Sequence, residues 1–209
     1  MPSLEIVSKD EQRISVKMTG VPLQYANALR RICLNGVPVF AVDTVDVIEN
    51  TSVLPDEGLA HRLGLVPLRT DLERFTETSK CTCGGEGCSN CRVMLVLDSG
   101  ESEETRTVLS DEISSEDDSV RPTSGGIAIV ELAPGQRIKV ECYARLGRGT
   151  EHAKWNASNV SILTETGNKG EHLLTVESTG ALAPEKVVMA GAEEVSGRLG
   201  QFKEITSGI

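Results

Sequence analysis

Aromatic residues are scarce: one Trp, two Tyr and three Phe in 209 residues. A platform for stacked bases needs several rings on one face, so single-strand recognition of that kind is excluded. Positive charge is also short, with 21 Lys and Arg against 31 Asp and Glu, and a net charge of −10 argues against the phosphate backbone as a direct partner; no direct sequence-specific contact with nucleic acid is expected. No apolar run approaches the roughly 20 residues that span a bilayer. The opening MPSLEIVSKD lacks the basic and apolar regions of a signal peptide, so a cytoplasmic location is expected, with no membrane partner. Catalytic signatures are missing too. There is no GxSxG, HExxH or GxxxxGKS/T, and Gly147-Arg148-Gly149 lacks the third glycine of a dinucleotide fingerprint. No catalytic residue is expected.

The length suits one domain or two small ones. Hydrophobic residues at 39% and charged residues at 25% are a normal globular balance, so the chain should fold, with a core mostly of Val, Leu, Ile and Ala. Acidity is concentrated between Asp98 and Asp118, where nine acids face Arg106 alone. That stretch reads as a solvated surface loop or edge hairpin.

Period-two alternation predicts strands at Ile14-Val16-Met18 and from Ile138 to Leu146. VPVFAVDTVDVIEN, RVMLVLD, GIAIVEL, and the pair SILTET and HLLTVEST around a Gly167–Gly170 turn are further candidates. Two segments repeat at helical spacing. In PLQYANALRRICLNG the apolar stripe is Tyr25, Ala26, Leu29, Ile32 and Cys33, with Asn35-Gly36 as the stop. From Pro184 to Ile205 it is Val188, Ala192, Val195, Leu199 and Phe202, over a length of roughly 33 Å. Gly191, Gly197 and Gly200 each weaken that helix by about 1 kcal/mol relative to Ala, so contact must hold it. PDEGLAHRLG suits a short third helix. The expected class is α+β with antiparallel sheet. One domain is built from both chain ends, 1–47 and 147–209, and carries the two long helices. A second, mostly β domain, 48–146, is inserted in it and holds the cysteine loop 81–91 and the acidic stretch 98–118.

Four cysteines, Cys81, Cys83, Cys88 and Cys91, fall in KCTCGGEGCSNCR with the spacing CxCx4CxxC. In a reducing compartment such a set points to metal before disulfides, because four thiolates satisfy a tetrahedral zinc ion and leave no open catalytic position. An iron–sulfur centre or a redox-active loop are the alternatives. Gly84, Gly85 and Gly87 permit the positive φ of a tight knuckle, while Cys33 and Cys142 read as buried small hydrophobes. His61, near Asp56 and Glu57, has the composition of a general base. The structural reading has His61 and Arg62 tying the short helix to its sheet. His152 and His172 show no partner pattern.

The stretch from Ala26 to Asp71, with LRR at Leu29–Arg31, NTS at Asn50–Ser52 and LAHRLGLVPL up to Leu68, resembles the core of the RNA polymerase assembly subunit family. That family includes the archaeal D-type subunits, which the chain resembles most, the third-largest subunit of eukaryotic polymerase II and, more distantly, bacterial alpha. HAKW at His152–Trp155 and the last helix also fit, whereas Val66 stands where isoleucine is usual. The resemblance implies that the two-ended domain is a dimerisation domain. There Tyr25, Ala26, Leu29, Arg30, Ile32, Cys33, Val188, Ala192, Val195, Leu199 and Phe202 would meet a smaller L-type subunit, while the inserted domain faces the large catalytic subunits. It further implies one structural zinc on the four cysteines. The ferredoxin-like domain of some archaeal members is not expected, since 156–183 contains no cysteine. Readings from other classes are a free-standing zinc-binding interaction adaptor and a small hydrolase or thiol enzyme centred on His61 or Cys142.

Overall fold

The structure, a computed structural model, describes residues 2–168 and 170–208. The fold is mixed α+β with antiparallel sheets, and the chain divides into two compact units, one of residues 1–38 and 148–209, the other of residues 39–147.

The first unit is a four-stranded sheet in the order β1 (Ser3–Lys9), β2 (Arg13–Thr19), β10 (Glu171–Ser178), β9 (Ser158–Glu165). Lys169 of the predicted β9–β10 turn lies outside the described residues. One sheet face turns Ile14, Val16, Met18, Leu174 and Val176 inward beneath helices α1 (Leu23–Asn35) and α3 (Pro184–Thr206). The opposite face is built for water, with Arg13 paired to Glu177, Lys17 to Glu5, and Ser15 hydrogen-bonded to Thr175 at 3.0 Å. β9 fastens α1 through its serines: Ser158 Oγ donates to Cys33 O and Ser161 Oγ to Arg30 O, each at 2.8 Å. Where the two helices meet, Gly191 of α3 is the contact. A Cβ there would stand 3.0 Å from Cys33 Sγ and 3.3 Å from Leu29 Cδ1. Gly197 and Gly200 have nothing within 4 Å of such a Cβ. Arg148 donates to Gly36 O and pairs with Glu194 of α3 at 2.8 Å. Trp155 of HAKW is buried, its turn closed by Lys154 N donating to His152 Nδ1.

The second unit has its own core around Phe40, Leu59, Leu63, Leu95, Leu97, Ile129 and Val140. Its main sheet runs β3 (Val39–Asn50), β8 (Ile138–Gly147), β4 (Arg92–Asp98), β6 (Ser114–Ser115), beside a pair of β5 (Arg106–Leu109) with β7 (Ala128–Leu132). Helix α2 (Asp56–Gly64) buries Leu59 and Leu63. Sequence pattern puts the division after residues 47 and 146, and the structure puts it after 38 and 147. The difference is β3, which pairs with β8 from Val39↔Gly147 to Asn50↔Ile138 and therefore belongs whole to the second unit.

The acidic stretch is not a solvated loop throughout. Val108, Ser110 and Ile113 are buried, and Asp98 accepts three charged bonds from Arg137, at 2.9 and 2.8 Å between Nη2 and its two oxygens and at 3.1 Å from Nε to Oδ1. A run of acids marks solvation only while the acids stay unpaired, and several here do not: Glu112 holds Arg106, and Asp117 holds Arg74.

These contacts are open to measurement. In the isolated protein, Gly191→Val should overpack the α1–α3 contact and cost about 1–3 kcal/mol, whereas Gly197→Ala should add up to about 1 kcal/mol, both read by chemical denaturation. The Arg137 guanidinium, helped by the Gly100 N–H, pulls the Asp98 carboxyl down to about 2. A depressed folded-state value stabilises above the unfolded value near 4 and loses that contribution as pH falls toward 2. The stability difference between the protein and its Asp98→Asn variant should therefore be constant above about pH 5 and shrink on acidification toward 2.

Candidate functional site

Between a 3₁₀ turn at Thr78–Lys80 and the start of β4, residues 81–91 fold into two consecutive knuckles. Gly84 N donates to Cys81 O at 3.1 Å, and Cys91 N and Arg92 N both donate to Cys88 O at 2.9 Å. Gly84, Gly85 and Gly87 take φ of 70°, 96° and 85°, the left-handed conformation expected of them. At Gly87 a Cβ would fall 2.8 Å from Arg92 Nε, so the Arg92 side chain lies directly on that glycine. Its guanidinium also stands over the Tyr143 ring, 4.9 Å from the centroid.

These turns bring the four sulfurs together. Cys81–Cys88 is 3.6 Å, Cys83–Cys91 3.7 Å and Cys88–Cys91 4.0 Å, and all lie within 4.8 Å of one another. All four are free thiols, and these separations are about twice the S–S bond of roughly 2.05 Å. They match the edge of a tetrahedron with metal–sulfur bonds near 2.3 Å, about 3.8 Å. Backbone N–H groups of Gly87 and then Gly85 bring the Cys83 thiol down to about 6, while burial pushes Cys91 up to about 12. A divalent cation removes the cost of holding thiolates at such a buried position. The group can hold a metal ion; with four sulfurs on it no position is left for substrate. Cys33 and Cys142 are buried, and burial raises both thiols to about 12, which is inert packing and excludes an exposed nucleophile.

The general-base pattern around His61 does not assemble. His61 is on the exposed side of α2, and Asp56 instead accepts from Asn50 Nδ2 at 2.7 Å. Arg62 is the residue that ties α2 down, its Nη1 donating to Ile129 O on β7 at 2.7 Å.

In the first unit the predicted interface residues separate into two groups. Ala26 and Cys33 are fully buried within the unit and closed to a partner, because they form the inner stripe of α1. Arg30 is half-buried and reaches Ser161 O and Asn27. On α3 the inner stripe is Pro184, Val187 and Gly191. The stripe read from the sequence lies beside it: Val188 and Val195 are half-buried, and Ala192, Leu199 and Phe202 are exposed. Tyr25 is exposed, and Leu29 and Ile32 are half-buried. Tyr25, Leu29, Ala192 and Val195 line an apolar groove of about 320 Å³ whose floor includes Met18 and Leu4. β1 is absent from the strands predicted above. Leu4 and Ile6 alternate with Glu5, a strand signal, and they pair with Met18 and Val16, so they extend the helix-side face past the edge the helices cover.

The family model described as "RNA polymerase Rpb3/RpoA insert domain" matches residues 45–166, more than half of the chain. The chain belongs to that family. Over 158 residues it is 39% identical to the DNA-directed RNA polymerase subunit Rpo3 of Methanosphaera stadtmanae, covering 75% of this chain and 58% of that protein. With the same-named subunit of Pyrobaculum arsenaticum the identity is 41% over 161 residues, 77% of this chain and 62% of the relative. With that of Archaeoglobus fulgidus it is 38% over 162 residues, 78% and 60%. The chain thus spans about three fifths of the length of these curated relatives. The insert-domain match covers the four cysteines, α2 and nearly all of the second unit. No helix of the described residues is long and apolar enough to cross a membrane.

The four-sulfur geometry predicts about one metal ion bound per chain by elemental analysis. Cys91→Ser should lower that ratio to a small fraction, and chelation should expose the loop to proteolysis while the second unit's core stays folded.

Proposed function

We propose that this chain is a non-catalytic assembly subunit of a DNA-directed RNA polymerase, of the archaeal D type. On this reading it pairs through the helix side of its first unit with a smaller L-type subunit and carries the large catalytic subunits during transcription. Nucleotidyl transfer then belongs to the complex, since it needs metal-binding carboxylates in a site of their own. The metal on Cys81, Cys83, Cys88 and Cys91 is one structural zinc, favoured by an all-thiolate tetrahedral donor set. It would fasten the loop to β4 and supply no chemistry to a reaction.

The observation that carries the reading is the outer half of α3. Phe202 and Ile205 are 65% and 71% exposed, and every residue from Ser196 to Gly208 is exposed. A helix of 23 residues with three glycines gains little from its own propensity there. Burying Leu4, Tyr25, Leu199, Phe202 and Ile205 at about 1.5–3 kcal/mol each gives on the order of 10 kcal/mol before the cost of association. That is of the same order as the roughly 4–15 kcal/mol that association costs, so these side chains supply a large share of what holding a second chain requires.

Coexpression tests it. The chain and the smaller polymerase subunit of the same organism should elute together as a 1:1 complex, and Phe202→Asp should weaken the pair at least tenfold. A soluble monomer that never copurifies with that subunit sinks the reading. Iron instead of zinc in the elemental analysis overturns the metal assignment alone.

A further inference from the structure

Val53, in the connection between β3 and α2, is 86% exposed, more than any other large hydrophobic side chain described. A single exposed apolar residue is ordinary on a protein surface, and exposure alone marks no site. This connection is also held from several sides. Asn50 Nδ2 donates to Leu54 O at 2.9 Å and to Asp56 Oδ1, and Asn50 Oδ1 accepts from Ser52 N and Ser52 Oγ at 3.1 and 2.7 Å. Ser52 Oγ in turn accepts from Leu54 N at 3.2 Å. Thr51 clasps residue 137, its N–H donating to Arg137 O at 3.0 Å and its Oγ1 accepting from Arg137 N at 2.7 Å. Leu54 packs against the unit's core and lies on Gly58 of α2, where a Cβ would be 3.0 Å from Leu54 Cδ1.

A second device lies five residues earlier. The β3–β8 register shifts between Val47 and Glu49, which makes Ile48 the extra residue of a bulge and leaves it exposed. Bulges on edge strands re-aim side chains in this way. Among the described residues β3 pairs with β8 alone and is such an edge. Two independent features of the backbone thus hold apolar side chains in water within one short segment, at no benefit to the unit's own packing.

The surroundings define what fits them. From Thr44 through Ala60 the chain carries Asp46, Glu49, Asp56 and Glu57 and no cation. Asp46, Asp56 and Glu57 are exposed, and the nearby Arg137 is already held by Asp98 and Glu49. We propose that the Asn50–Asp56 connection is a preformed docking knob, with Val53 as its anchor and Ile48 five residues before it in the chain as a second apolar contact, for a protein surface that offers an apolar socket rimmed by Lys and Arg. Because the connection is ordered before contact, little conformational entropy is lost on docking. The carboxylates around it speed the encounter and orient the partner. That the partner is a large polymerase subunit rests on the assembly reading above.

The test uses the tagged full chain coexpressed with the smaller subunit and the two largest polymerase subunits of the same organism. Val53→Asp should keep the smaller subunit at the stoichiometry of the unmodified chain and the same melting temperature, while recovery of the large subunits falls about tenfold or more. Val53→Ala should give a smaller loss in the same direction, and added salt should deepen both. Recovery of the large subunits by Val53→Asp at the unmodified level overturns the knob and leaves the assembly reading standing. If the unmodified chain recovers no polymerase subunit at all, the assembly reading fails and the partner assigned here falls with it.

Discussion

Apolar surface left in water by α3 is the constraint to which most of the first unit answers. Its inner stripe, Pro184, Val187 and Gly191, is taken up by the unit itself. Gly191 permits this by letting the α3 backbone come within contact of Cys33 and Leu29. After Glu194, which is tied to Arg148, the helix continues for more than two turns with every residue from Ser196 exposed, Leu199, Phe202 and Ile205 among them. A single sheet covered by helices on one face cannot fold back to shelter that extension, and the sheet's other face is occupied by Arg13–Glu177 and Lys17–Glu5. Ile162 is the exposed apolar exception. Among the described residues, the unit's other large exposed apolar side chains lie on the helices and on β1, where Leu4 and the groove below Tyr25 continue them.

The second unit solves a different problem. Its core closes on itself, with Phe40 and Phe75 edge to face at 4.9 Å and Leu59, Leu63 and Ile129 fully enclosed. The cysteine loop lies outside that core and must be stabilised locally. Three left-handed glycines make its knuckles possible and also make its unfolded state more flexible. The Arg92 stack on Gly87 restores part of that loss. A four-thiolate metal site would restore far more, because its binding free energy becomes folding free energy for the segment that supplies the ligands.

Much of this is legible in the sequence because the signals are periodic or spaced. Alternation locates β2, β8, β9 and β10, the 3.6-residue repeat locates α1 and α3, and CxCx4CxxC locates four sulfurs that do converge. Failures come where one pattern serves two purposes. On α1 the buried Ala26 and Cys33 and the exposed Tyr25 share a single apolar stripe, and only packing separates inner from outer. Residue type alone does not show that the acids around Asp98 and Glu112 are ion-paired and partly structural, since the partners Arg137 and Arg106 are identified only by folding. β1 escapes because Leu4-Glu5-Ile6 is a short alternation, and the bulge at Ile48 leaves no signature in composition.

That last class of feature bears on how an apolar surface can be specific. Hydrophobic area on α3 supplies attraction but little geometry, because a smooth apolar stripe accepts many covers. Directional polar contacts are what discriminate among partners, and they are costly to leave unmet. In this chain such contacts are used inside the molecule, to fix where apolar groups stand: Asn50, Thr51 and Ser52 around Val53, Ser158 and Ser161 beneath α1, Arg148 between Gly36 and Glu194. An apolar side chain whose position is fixed to within a hydrogen bond's tolerance selects its socket by shape. Selectivity of this kind needs rigidity, and rigidity is what the internal hydrogen bonds provide.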